Sequence, residues 1–151
     1  MKTIVYFMCF HFTTYGFKSL KMESVILFDG VCNLCNSSVN FIIDHDKSNR
    51  FVFASLQSEE GEKILQKTGL SSDYLDSLVL VEGEKVFTKS TAALKIASGL
   101  AFPWNLFKPL LFLPKAFRDF FYDIIARNRY NWFGKEDQCR IPTPELRQKF
   151  L

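Results

Sequence analysis

The sequence predicts an α/β fold with the element order β-α-β-α-β-β-α, followed by an aromatic-rich helical C-terminal extension. Three observations carry this prediction. Short β-rich runs alternate with longer segments of helical periodicity. Glycines and capping residues stand at the junctions between them. The composition, 48% hydrophobic and 23% charged over 151 residues, is that of a chain able to bury a core without cross-links.

The elements follow in order. Residues 25–28 are a short apolar run ended by the turn pair Asp29-Gly30, which reads as a buried strand. A helix is expected over 33–44, where Val39, Ile42 and Ile43 share one stripe and Cys35 lies four residues before Val39. Residues 51–56 form a second strand. Ser58 caps the next helix, with Glu59 and Glu60 where a helix N-terminus favours negative charge. That helix runs to about Lys67, and Gly69 ends it. Residues 77–81 and 85–88 read as a hairpin around Gly83. Ser90 then caps a helix over 91–98, closed by Gly99.

Beyond Gly99, Pro103, Pro109 and Pro114 interrupt an aromatic stretch containing Trp104, Phe107 and Phe112. The apolar run 110–113 is far too short to span a membrane. A clean helix returns over 115–130. Phe117, Phe120, Phe121, Ile124 and Ile125 are expected to be its inward stripe, with Asp123 and Arg127 as an i, i+4 pair and Gly134 just past the end. The extension, residues 103–151, is expected to pack on the sheet within a single domain of residues 23–151.

Residues 1–22 read as a leader outside the fold. They carry an apolar run over 4–12 but no small-x-small cleavage site, and a start at Met22 removes no predicted element. A membrane-touching segment, an extra strand or a signal peptide are the alternatives. The net charge of +3 is too small to imply a nucleic-acid partner, but it is unevenly spread. Residues 1–22 hold three basic residues and no acidic ones, 23–102 hold seven and 11, and 103–151 hold nine and five. The last third is thus basic and aromatic, a hint of a surface that meets an anion, a membrane or a protein.

The chemistry sits in four cysteines, Cys9, Cys32, Cys35 and Cys139. Cys32 and Cys35 form a C-x-x-C where the first strand hands over to the first helix. In a chain read as cytoplasmic, that placement is the mark of a thioredoxin-like redox motif. A helix starting just after Cys32 sets its sulfur beside unpaired backbone N–H groups at the positive helix end, which favours thiolate. Cys32 is therefore expected to be exposed and to attack a disulfide. Cys35, on the apolar stripe, is expected to be shielded and to resolve the mixed disulfide. Asp29, three residues before Cys32, is a candidate for tuning the thiols or relaying a proton, or it is simply the polar half of its turn.

Two other readings of the pair stay open. Zinc needs four ligands, and the remaining candidates, Cys9, His11, His45 and Cys139, are isolated in sequence. An inert structural pair, on a binding module that docks a partner or membrane, is the other. His45 reads as a solvated surface residue, and Arg127 and Arg129 as residues that stabilise a helix end. No cofactor is implied.

These residues resemble the DCC family of thiol-disulfide oxidoreductases, named for Asp-x-x-Cys-x-x-Cys, here Asp29, Cys32 and Cys35. A second block resembles residues 122–139, with Asn128-Arg129-Tyr130 and Phe133-Gly134 its most recognisable part. The resemblance runs from about Val25 to Pro142. It implies a thioredoxin-like fold and disulfide exchange with protein or small-molecule thiols. Thioredoxins place a cis-proline facing the C-x-x-C before the third strand, and Leu75-Asp76-Ser77 stand at that point here.

Overall fold

The computed structural model of the chain describes residues 24–70, 77–135 and 149–151. The predicted leader, Leu75-Asp76, Cys9, His11 and Cys139 lie outside the described residues. The element order is β1 (Ser24–Phe28), α1 (Asn33–His45), β2 (Phe51–Ser55), α2 (Glu59–Lys67), β3 (Val79–Glu82), β4 (Lys85–Thr88) and α3 (Lys89–Gly99). A 3₁₀ segment (Trp104–Phe112) and a long helix, α4 (Lys115–Phe133), follow. The predicted order holds throughout.

The four strands form one mixed sheet in the order β2-β1-β3-β4. β1 pairs parallel with β2 through the α1 crossover, and β3 runs antiparallel to both of its neighbours. Because strand side chains alternate, each strand feeds two cores. Ile26, Phe28, Phe53 and Leu80 face Val39 and Ile42 of α1 and Ile96 of α3. Leu27, Ala54, Val79 and Val81 face Leu65 of α2. The result is three layers, with α1 and α3 on one side of the sheet and α2 on the other.

Local chemistry sets the element ends. Ser58 Oγ accepts the Gly61 N–H at 3.1 Å, as expected of the α2 cap. The tight return from α1 to β2 depends on Asp46, which the sequence did not single out. Its carboxylate accepts the Arg50 N–H at 2.7 Å and the Phe51 N–H at 3.0 Å. His45 is not the solvated residue expected. It stacks on Phe41, with ring centres 4.1 Å apart, and meets Trp104 edge-on.

Two expectations fail for the same reason. Ser90 does not cap α3: Thr88 holds that position, with no side-chain cap bond, and Ser90 Oγ instead donates to the Asp119 carboxylate of α4. The aromatic stripe of α4 does not face inward: Phe117, Phe120, Phe121, Ile124 and Ile125 are all exposed. At about 100° per residue, the phenylalanines and Ile124 lie away from Tyr122, Ala126 and Arg129, whose face meets the domain, and Ile125 sits at the edge between the two. α4 is seated by its polar side. Tyr122 Oη accepts the Leu78 N–H at 2.9 Å. Asp123 turns to Lys89 of α3, 2.9 Å away, rather than to Arg127. The only residue of α4 fully buried is Arg129.

Candidate functional site

The turn after β1 and the first turn of α1 place the three predicted site residues together. Cys32 is the N-cap of α1, with extended backbone, and its Sγ accepts the N–H of Cys35 at 3.3 Å. A cap normally uses a side-chain oxygen for this, and here a sulfur takes that place. Both cysteines are free thiols.

Their exposure is the reverse of the expected one. Cys32 is completely buried and Cys35 is only partly so. The far end of α4 lies against Cys32. Lys135 forms an isolated antiparallel bridge with Cys32, and Asn33 Nδ2 donates to the Phe133 carbonyl at 3.0 Å. Gly134 makes this return possible. Its φ of 79° and ψ of 176° lie in a region essentially reserved for glycine. Cys35 instead lines an apolar groove of about 230 Å³ between α1 and α4, together with Leu34, Leu78, Tyr122, Ile125 and Arg129. Burial, the hydrogen bond with Cys32 and the nearby Cys32 sulfur push the Cys35 thiol well above its ordinary value, while the Arg129 charge pulls the other way.

Asp29 is buried, and its carboxylate is saturated with donors. Oδ1 accepts the Val31 N–H at 3.1 Å and Gln57 Nε2 at 2.9 Å. Oδ2 accepts from the Arg129 guanidinium at 3.0 Å and from the Tyr130 hydroxyl. Arg129 also donates to Tyr130 Oη at 2.9 Å. Burial opposes the Arg129 charge, but its bond to Tyr130 and the nearby acidic groups outweigh this and hold it firmly protonated. Burial and the bond to Asp29 push the Tyr130 phenol up to about 12, so it is a donor at neutral pH. Burial likewise raises the Tyr122 phenol.

Asp29 is thus both the turn residue and the centre of a buried network. Arg129 is not a helix-end residue but the counter-charge of Asp29. Gln57, which also accepts the Gly30 N–H at 2.9 Å, had no signal in the sequence. Arg129 and Tyr130 did have one: they belong to the second block of the resemblance, and that block meets the first in space. The backbone beside Ser77 is already engaged, since the Leu78 N–H goes to Tyr122 and its carbonyl to the Lys89 N–H at 3.2 Å. Among the described residues no group of three or more His, Cys, Asp or Glu side chains is placed to hold a metal ion.

The family model of DCC1-like thiol-disulfide oxidoreductases matches residues 26–135, a span that starts in β1 and ends at the residue bridged to Cys32. The chain is 50% identical over 127 residues to the uncharacterized protein YuxK of Bacillus subtilis strain 168, covering 84% of this chain and 93% of that one. It is 45% identical over 118 residues to a chloroplastic DCC family protein of Arabidopsis thaliana, covering 78% and 69%. No solved structure matches. With its two motifs joined in one buried network, the chain belongs to the DCC1-like thiol-disulfide oxidoreductase family.

Proposed function

We propose that the protein is a thiol-disulfide oxidoreductase that cycles Cys32 and Cys35 between dithiol and disulfide, exchanging with protein or small-molecule thiols in the cytoplasm. The observation that carries this reading is Cys32 Sγ at the α1 N-terminus, accepting the Cys35 N–H. That bond ties the Cys32 sulfur to the residue whose thiol would exchange with it. The sheet order β2-β1-β3-β4, with β3 alone reversed, supports a thioredoxin-like reading of the fold.

In this scheme the Cys32 thiolate attacks a substrate disulfide. One S–S bond forms, the substrate S–S bond breaks, and one substrate sulfur leaves as thiolate. Cys35 then loses its proton and attacks Cys32 Sγ. The mixed disulfide breaks, the second substrate thiolate leaves, and two electrons have passed to the substrate. A dithiol, or two monothiols in turn, returns them by the reverse sequence and leaves as a disulfide. Arg129 lines the groove beside Cys35, and its charge favours the thiolate that the second step needs. Asp29 is a positioning residue here, because its oxygens are occupied by the donors that fix Arg129 and Tyr130. The bridge between Cys32 and Lys135 has to open for the first attack.

One observation favours a second order of events: Cys35 is the more accessible of the two, which makes it a candidate for the entering sulfur. Mixed-disulfide trapping separates the two. If Cys32 attacks first, Cys35→Ser accumulates a covalent adduct with a disulfide substrate and Cys32→Ser forms none. The opposite pattern assigns the attack to Cys35. Absence of adducts in both variants, with no reversible disulfide in the native chain, returns the pair to a structural role.

A further inference from the structure

The outward face of α4 and the 3₁₀ segment before it carry a large exposed apolar surface. Phe112 is 93% exposed and Phe120 62%, and Phe117 and Phe121 are both more than half exposed. The Phe121 ring meets those of Phe117 and Phe120 edge-on, with centres 5.0 and 5.5 Å away. An apolar groove of about 350 Å³ opens among Leu94, Leu110, Leu113, Phe117 and Phe121, joining the 3₁₀ segment to α4. With 150–250 Å² for a whole aromatic side chain, the four phenylalanines alone expose on the order of 500 Å², at the upper end of what isolated proteins show.

Charge says what covers this face. Between Phe102 and Phe133 the two acidic residues, Asp119 and Asp123, are turned inward to Ser90 and Lys89. The exposed charged residues of the segment are Lys108, Lys115 and Arg127, all positive and none in a salt bridge among the described residues. A two-fold contact with a second copy sets such a patch against itself and brings like charges together. An aromatic face bordered by cations suits an anionic partner with an apolar interior. Among the described residues no helix is long and apolar enough to cross a bilayer, so the fit is to its surface.

We propose that the outer face of α4, with the 3₁₀ segment, docks on an anionic lipid surface. The phenylalanines enter the headgroup boundary, and Lys108 and Arg127, the latter two helical turns on from Phe120 on the same face, meet lipid phosphates. The cysteines stay on the opposite side of the same helix, so docking leaves the groove beside Cys35 facing away from the lipid. This inference is independent of disulfide exchange.

The test is sedimentation of the full chain with vesicles of phosphatidylcholine alone, or of equal parts phosphatidylcholine and phosphatidylglycerol. Binding is expected to the anionic vesicles, and it should fall steeply as salt is raised toward about 1 M, where charges are screened within about 3 Å. The Lys108→Ala, Arg127→Ala double variant should bind roughly 25-fold more weakly, at about fivefold for each charge lost near such a surface. Phe112→Ser with Phe120→Ser should lose binding while keeping the native melting temperature, since neither ring is part of a core. The same measurements on a Cys32→Ser, Cys35→Ser protein should match the native chain, which separates this result from the fate of the thiol reading. Failure of the native chain to bind overturns the proposal, as does equal binding to neutral vesicles or binding indifferent to all four substitutions. A concentration-dependent dimer in analytical ultracentrifugation that the phenylalanine variants abolish also overturns it, assigning the face to a second copy.

Discussion

Replacing Arg129 by Met tests whether the buried network holds the site together. The Arg129 and Asp29 side chains are 4% and 3% exposed and 3.0 Å apart, so solvent screens the pair little. With charge centres about 4 Å apart and an effective dielectric of about 20, their attraction is about 4 kcal/mol. Removing one member of a buried pair costs about 3–5 kcal/mol, mostly because the other charge is stranded. Asp29 keeps three donors, from Val31, Gln57 and Tyr130, so the lower end, about 3 kcal/mol, is expected. For a chain of this size that is a fall of roughly 6–12 °C in melting temperature. Urea unfolding of the native chain, Arg129→Met, Asp29→Asn and the double variant gives the number. The double variant should lose markedly less than the two single losses together, because the stranded charge is gone. Arg129 is also the buried anchor of α4, whose end covers Cys32. Alkylation of Cys32, read on its own peptide by mass spectrometry, should therefore be faster in Arg129→Met. A loss below about 1 kcal/mol, or single effects that add within about 0.5 kcal/mol, refutes the argument that the pair is a coupled, buried one. Unchanged alkylation refutes the link between the network and the cover.

Three further outcomes follow from the same geometry. Gly134→Ala places a side chain at φ 79° and should cost about 1–3 kcal/mol while speeding alkylation of Cys32. In thermal unfolding, Phe120→Ser should stay within about 0.5 kcal/mol of native stability, whereas Phe53→Ala, fully buried in the sheet, should lose about 3–5 kcal/mol. Stability should fall at alkaline pH: Cys35 and Tyr130 have raised folded values, so their contributions are whole below the unfolded values and are lost as pH climbs through the folded ones. Tyr130→Phe should flatten the part of that fall between about pH 10 and about 12, and an unaltered curve counts against the bond to Asp29.

The sheet and its first two helices were legible in the sequence because local rules decide them. Short apolar runs set β1 and β2, the 3.6-residue period set α1, and Ser58 with its following glutamates set the start of α2. Legibility ended where partners distant in sequence take over. Periodicity located the aromatic stripe of α4 but carries no information about which side a helix turns to the core. The polar side won because Tyr122, Asp119, Asp123 and Arg129 each meet a matched group at Leu78, Ser90, Lys89 and Asp29. The same distance effect misplaced Cys32. Its position at the helix start was read correctly, but the backbone that closes over it belongs to residues 133–135. Asp29 was found by its spacing to the cysteines, whereas Gln57 has no pattern to betray it.

The separation of Asp29 and Arg129 by 100 residues fixes an order of events on the ribosome. The strand, turn and helix that carry both cysteines leave the exit tunnel first. At about 5–20 residues per second, the segment that supplies the counter-charge and the cover is made roughly 5–20 s later. Throughout that interval the carboxylate has no guanidinium beside it, and the thiol at the helix start is open to whatever oxidant the nascent chain meets. The chemistry-bearing end of the molecule is synthesised early and sealed late, so the unfinished chain is the form of this protein most exposed to adventitious disulfides.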